Sequence, residues 1–320
     1  MTRVRPEILV VAAIAAVAAL PAFGDSYVLR LGTMFAMYAV LALSWNIIGG
    51  FAGYPSFATA AFFGLGAYAG AILQGFGVPM PLAWVAASAC VVLFATGLGL
   101  VLLHLKGHYF AVASLVVATV LVEITTSWTS LTGGGMGLNL TVLRISVDAQ
   151  ARFFFWSMLA LGVLALIMNW MVAHRRLGFG LRCIKQNEDA SAMVGLNTTL
   201  YKVVAFVLSA VLVGGAGAIY ASWVFYIEPS DVFHILLSVK PIVMVMLGGA
   251  GTVLGPVIGA GVFLFMEEMV WRNFLDIHSA VLGLLIVALI FFLPRGILGL
   301  LAGRARAQRK MPIFNAVKPA

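Results

Sequence analysis

The sequence predicts an all-α polytopic membrane protein with about ten transmembrane helices, both termini cytoplasmic, and some short or broken helices. Three observations carry this. First, 63% of the 320 residues are hydrophobic and only 9% are charged, whereas soluble domains carry roughly a quarter charged residues. So little charge cannot clothe a soluble surface. Second, the apolar residues fall in long runs, and a helix needs roughly 20 of them to cross a hydrocarbon core about 30 Å thick. Third, the runs lack the alternation of barrel strands, and a chain in lipid must satisfy its backbone polar groups internally, as helices do.

The first segment, TRVRPEILVVAAIAAVAALPAFGDS, joins Arg3 and Arg5 to an apolar stretch with Ala22 and Gly24 before Asp25, the pattern of a secretory signal. Because many spans follow, it is expected to stay as the first helix. Apolar runs then place spans at about 28–48, 57–74, 82–103, 109–128, 152–173, 203–224, 233–248, 256–275 and 278–294. The Gly-rich segments near 49–66 and 248–260 are expected as short or broken helices.

Orientation follows from Lys and Arg near the span ends. Ten spans put Arg3, Arg5, Lys106, Arg175, Arg176, Arg182, Lys185, Lys202, Arg295, Arg304, Arg306, Arg309 and Lys310 on one side, the cytoplasm. The opposite loops hold Asp25, Asp148, Glu228, Asp231 and Asp276, with Arg144, Arg152 and Arg272 as a basic minority. Residues 1–302 are read as one transmembrane domain with a polar cytoplasmic loop at about 174–202, and 303–320 as a basic cytoplasmic tail. The net charge of +8 is accounted for by this bias and by anionic lipid, without nucleic acid. Cys90 in an apolar run and Cys183 in the polar loop show neither a disulfide framework nor metal spacing.

Glycines recur at four-residue steps, Gly66 to Gly70 and Gly251 to Gly255 to Gly259, which lets helix backbones approach closely. NIIGGFAGYP (46–55) and MLGGAGTVLGP (246–256) each read as an apolar pair, a Gly pair, a small turn and a proline. Their broken-helix glycines are Gly49, Gly50, Gly53, Gly248, Gly249 and Gly251. Paired interruptions suggest an internal repeat flanking a transport path; simple close packing is the other reading.

No Lys follows a Gly, so the chain has no phosphate-cradling GxxxxGK[ST] loop. The histidines, at 104, 108, 174, 234 and 278, form no metal-ligand pattern. No catalytic residue, metal or cofactor is expected in this chain. Uphill movement of a solute would need an ion gradient or another subunit. Polar and ionisable residues within spans are costly and so are candidates to line a path or pair; Asn46, Glu123 and Lys240 are these. Glu267 and Glu268 are read as interfacial, and no buried charge pattern able to read a carboxylate is visible.

The polar loop carries DASAMVG (Asp189 to Gly195), which resembles the EAAxxxG signature of permease subunits of ABC importers, with Asp for Glu and Ser for the second Ala. Its setting, RRLGFGLRCIKQNEDASAMVGLNTTLYKVVAFVLSAVLVGGAGAIYA, resembles the branched-chain amino-acid ABC-transporter permease family, LivM-like. So do WNIIGGFAGYPSFATAAFFGLGAY, KGHYFAVASLVVATVLVEI, SLTGGGMGL, MLGGAGTVLGPVIGA and LPRGILG, in the family's order across most of 40–300.

The resemblance implies an inner-membrane permease for branched-chain or related amino acids, coupled to ATPases through Glu188, Asp189, Ala190, Ser191, Ala192 and Gly195. It also implies a second homologous permease, two cytoplasmic ATPase subunits that use the ATP, and a periplasmic substrate-binding protein. Arg175, Arg176, Arg182 and Lys185 are expected to hold the loop at the lipid surface. Tyr54 and Pro55 depart from the family's small or aliphatic residues, and ASLVVATVLVEI replaces glycines and polar residues with Val and Ala. Urea, short amides or another small solute therefore stay open as substrates. A stand-alone gradient-driven carrier is the rival class.

The topology is tested by the cysteines. A membrane-impermeant thiol reagent should label Cys183 in inside-out vesicles and leave Cys90 largely untouched. Labelling of Cys183 from the periplasmic face of spheroplasts contradicts the orientation.

Overall fold

A computed structural model describes residues 25–140, 145–273, 283–284 and 296–299. The helix expected at 1–24, the tail at 303–320 and nearly all of the span expected at 278–294 lie outside these residues. In chain order the elements begin with α1 (Ser26–Trp45), its π-helical continuation Asn46–Phe51, α2 (Thr59–Gly75), α3 (Met80–Leu102) and α4 (His108–Ser127). A short α5 (Thr129–Thr132), a 3-10 turn (Gly134–Met136) and β1 (Leu138–Asn139) lead to α6 (Val147–His174). Then come α7 (Arg176–Gln186), α8 (Glu188–Met193), α9 (Thr198–Val224), β2 (Tyr226–Ile227), α10 (Pro229–Val232), α11 (Leu236–Gly248) and α12 (Gly255–Asn273).

Among the described residues, six helices are long and apolar enough to cross a membrane: Ser26–Phe51, Met80–Leu102, His108–Ser127, Val147–His174, Thr198–Val224 and Pro229–Gly248. The 17-residue α2 and the 19-residue α12 occupy the other two expected positions. The described residues are thus mostly helical, and the chain is a multi-pass membrane protein. Local chemistry sets the boundaries. The span expected at 152–173 begins earlier, at Val147, because the Ser146 hydroxyl accepts a hydrogen bond from the Ala149 amide and caps the helix. Asn187 and Asn197 cap α8 and α9 in the same way, accepting from Ala190 and Leu200 at 3.0 Å each. The span expected at 233–248 is broken near its start, where α10 gives way to α11.

The core is built on α1 and α9, which are largely buried, while α3, α4 and α6 turn most of their surface outward. α9 packs against α2 and α3, α1 against α6, and α11 against α12. The α2–α9 contact brings backbone against backbone. A Cβ on Gly66 would collide with the carbonyl of Gly214, and one on Gly217 with that of Phe63. Without a hydrophobic driving force between helices in lipid, such close van der Waals contact is what holds them together.

Two sets of polar contacts tie helix ends and connecting segments together. One contains the antiparallel pair Leu138↔Ile227 and Asn139↔Tyr226, the Ser26–Asp148 hydrogen bond, and the Tyr27–Glu268–Arg272 group. The other contains Lys106–Asp189, Tyr54–Glu188, Lys202–Leu103 and Lys185–Gly50. Each set has its own connecting segments; none is shared.

Gly66→Ala should destabilise the purified protein by about 1–3 kcal/mol through overpacking, read as a lower thermal denaturation midpoint in detergent. Gly97→Ala is the control, since nothing lies within 4 Å of its Cβ position. It should gain about 0.5–1 kcal/mol. Equal effects at both positions would contradict the packing described here.

Candidate functional site

The first interruption is built around one side chain. Asn46 is fully buried and folds back across the widened π-turn, which is why Gly50 carries no side chain: a Cβ there would strike the Asn46 carboxamide. The Asn46 Oδ1 accepts from the Gly251 amide at 2.8 Å, and its Nδ2 donates to Asn169 Oδ1 and to the Thr252 carbonyl, both at 2.9 Å. Asn169 in turn donates to the Leu43 carbonyl at 2.5 Å. The two glycine-rich interruptions therefore meet. Gly251 has φ +77°, a conformation suited to glycine, and its Cβ position lies 3.1 Å from the Gly50 carbonyl.

Residues 52–58 leave the first break as non-helical chain, and they too are stitched down. The Trp45 indole donates to the Ser56 carbonyl at 2.8 Å, the Phe57 amide to Ser114 Oγ at 2.9 Å, and the Tyr54 amide to the Ile48 carbonyl at 3.2 Å. Ser238 donates to the Phe57 carbonyl at 2.6 Å and accepts from the Ala60 amide at 2.9 Å. Buried non-helical backbone needs partners from protein or water. Here serines of α4 and α11 do it.

The polar loop folds as two helices, α7 and α8, and touches this segment directly. Glu188, the first residue of α8, accepts from Lys202 Nζ at 2.7 Å and from the Tyr54 hydroxyl. Lys202 also donates to the Leu103 carbonyl at 2.8 Å and to the Tyr54 oxygen at 3.1 Å. Its side chain is 3% exposed, a burial that counting charges along the loop does not reveal. An ammonium has three protons to donate, and all three find acceptors. Burial pushes the Glu188 carboxyl up, but the Lys202 and Tyr54 hydrogen bonds and the Lys202 and Lys106 charges hold it below its ordinary range. The Tyr54 hydroxyl is held well above its ordinary value by burial and then by Glu188.

Two of the four basic residues expected at the lipid surface also reach protein carbonyls, although both residues stay exposed. Lys185 Nζ donates to the Gly50 carbonyl at 2.8 Å, and burial lowers its pKa. Arg182 donates to the carbonyls of Gly178, at 3.1 Å, and Ala173, and lies 5.7 Å from the centroid of the Phe51 ring. Sequence counting reads which side a cation prefers, and carries no information on whether it points at lipid or at protein.

The remaining signature residues face outward. Asp189 pairs with Lys106 at 2.7 Å, both well exposed, a geometry worth little in water. Ala190, Ala192, Met193 and Val194 are exposed, and Ser191 is buried, donating to the Asn187 carbonyl at 2.8 Å. Gly195 follows with φ +89° and turns the chain toward α9. This apolar face borders a groove of about 740 Å³ lined by Phe179, Cys183, Ala190, Val194 and Tyr201.

The intramembrane candidates do not form one site. Lys240 pairs with Glu267 at 2.6 Å, and Tyr38 lies beside it. They line a cavity of about 530 Å³ together with Met34, Phe35 and Phe265. Glu267 is therefore not simply interfacial, and a half-buried charge pair exists where the sequence showed none. Glu123 is exposed on α4, with no hydrogen bond or ion pair among the described residues. Sequence reasoning also missed Asn169, whose only signal was a lone amide in an apolar run. No metal-holding group of residues is present among the described residues.

A helical multi-pass architecture with two apposed interruptions suits a transport permease, and transport permeases are what its relatives are. The chain belongs to the family described as branched-chain amino acid transport system / permease component, which it matches over residues 27–291. It is 27% identical over 299 residues to the high-affinity branched-chain amino acid transport system permease protein LivM of Salmonella typhimurium, covering 84% of this chain and 69% of that protein. The LivM of Escherichia coli is 26% identical over 326 residues, covering 92% and 75%. The autoinducer 2 import system permease protein LsrC of Salmonella typhi is 27% identical over 137 residues, 39% of each chain. No solved structure matches this chain.

Replacing Asn46 by Leu strands the Gly251 amide and part of Asn169 in the protein interior. Each orphaned group costs about 1–3 kcal/mol, so Asn46→Leu should lower the thermal midpoint well beyond the Gly66 variant. An unchanged midpoint would mean that these groups have other partners.

Proposed function

We propose that this chain is the membrane-spanning subunit of a bacterial inner-membrane ABC importer for branched-chain or related amino acids. It works beside a second homologous permease, two cytoplasmic ATPase subunits and a periplasmic substrate-binding protein. The chain binds no nucleotide; the partner subunits use the ATP. Both termini face the cytoplasm and ten helices cross the bilayer. The two sets of polar contacts support that topology, because each joins only segments that ten alternating spans place on the same side. The set with more Lys and Arg is the cytoplasmic one.

The observation that carries this reading is α8. A short capped helix follows Asn187, its apolar face exposed beside a groove and its first residue anchored in the membrane domain. A connecting loop has no need of either feature. The similarity to an autoinducer 2 import permease over 39% of the chain favours, as a second reading, the same machine carrying another small solute.

Ala190→Arg places a charge in the face that would seat in an ATPase, at a cost of several kcal/mol if that face is packed. Membrane insertion should be normal, with ATPase association weakened and uptake lost. Gly195→Glu should behave likewise. Near-normal uptake in both variants would reduce α7 and α8 to a passive link.

A further inference from the structure

An ATPase that moves α8 must move something inside the membrane, and the geometry shows what α7 and α8 are fastened to. Resting on the importer reading above, we propose that Tyr54, Lys185 and Lys202 are positioning residues. They clamp α7 and α8 to the first glycine break, so that displacement of these helices is passed to both breaks.

The clamp has two jaws. On α7, Lys185 Nζ bonds the Gly50 carbonyl at 2.8 Å and Arg182 lies over the Phe51 ring. The Lys185 stem fills the space where a Gly53 side chain would stand; a Cβ there would fall 2.8 Å from Lys185 Cγ. On α8, Glu188 holds both Tyr54 and Lys202, and Lys202 extends the bond to the end of α3 at Leu103. The break then joins its counterpart, because Asn46 bonds the Gly251 amide and the Thr252 carbonyl. A path of hydrogen bonds, joined through the backbone of residues 46–54, thus runs from α8 to residues 251–252.

Packing alone does not account for this arrangement. A buried ion pair is a poor stabiliser, since apolar residues of similar volume often serve as well or better. Its distinctive property is direction: three protons of one ammonium fix three segments relative to a fourth. A contiguous chain becomes a transmitting one only when its removal changes the coupling between its ends, and that is measurable.

The test uses the full chain assembled with its permease partner, ATPases and binding protein in proteoliposomes, with leucine accumulated and ATP hydrolysed measured in the same vesicles. Tyr54→Phe removes one oxygen and keeps the ring; Lys185→Met keeps the stem and frees the Gly50 carbonyl. Both should leave ATPase association and hydrolysis near wild type, while leucine accumulated per ATP falls about tenfold, within the range of coupling between distant sites. Lys202→Met should behave as Tyr54→Phe does. An unchanged ratio in both Tyr54→Phe and Lys185→Met overturns the proposal and leaves the clamp purely structural. Loss of ATPase association in those variants also overturns it, because the residues would then hold the docking surface itself. Wild-type chain that never associates with an ATPase sinks the importer reading instead, and that is seen before any substitution is made.

Discussion

Where the chain of a membrane protein leaves helical structure, its buried amides and carbonyls must find partners in the protein or in water. This chain leaves helical structure after Phe51 and again between α11 and α12, and the Asn46 carboxamide joins the two interruptions. It accepts from the second break at Gly251 and donates to Thr252 and Asn169. The glycines follow from that. Gly50 is small because Asn46 lies over it, and Gly251 is small because the two backbones nearly touch. The serines of α4 and α11 then close the non-helical stretch between the first break and α2.

A second constraint builds the membrane-proximal end of α8. A buried ammonium is tolerated only when its charge and all its protons are answered, and Lys202 is answered by three different segments. The cost of placing a lysine there is offset only by acceptors held at fixed positions. The end of α3, the first break and α8 are therefore locked to one another more tightly than apolar contact would achieve. Outside this lock, α8 offers a small, apolar, exposed face. α8 is thus attached on one side and open on the other.

Much of this was legible in the sequence, and the part that was not has a common cause. Span positions follow from local hydropathy, and the breaks follow from glycine pairs, so both could be read within short windows. The location of the helix carrying Glu188 to Gly195 follows from small residues ahead of a glycine. The partners are different. Asn46 and Asn169 lie 123 residues apart, and Tyr54 and Lys202 lie 148 apart; no local pattern links them. Positive-side counting grouped Lys185 and Lys202 with the other cations of one side, but that rule reports side and not which partners a side chain finds. Glu267 was set aside for the same reason: its partner Lys240 sits on a neighbouring helix, and the pair exists only once α11 and α12 pack.

The central claim is that both breaks are closed by protein hydrogen bonds rather than by water. Hydrogen–deuterium exchange in nanodiscs reports on this directly, through peptides covering 46–60 and 246–256. The amides of Tyr54, Phe57, Ala60 and Gly251 all have protein acceptors, so these peptides should exchange nearly as slowly as the interior of α9. Exchange as fast as that of an exposed loop would contradict the account.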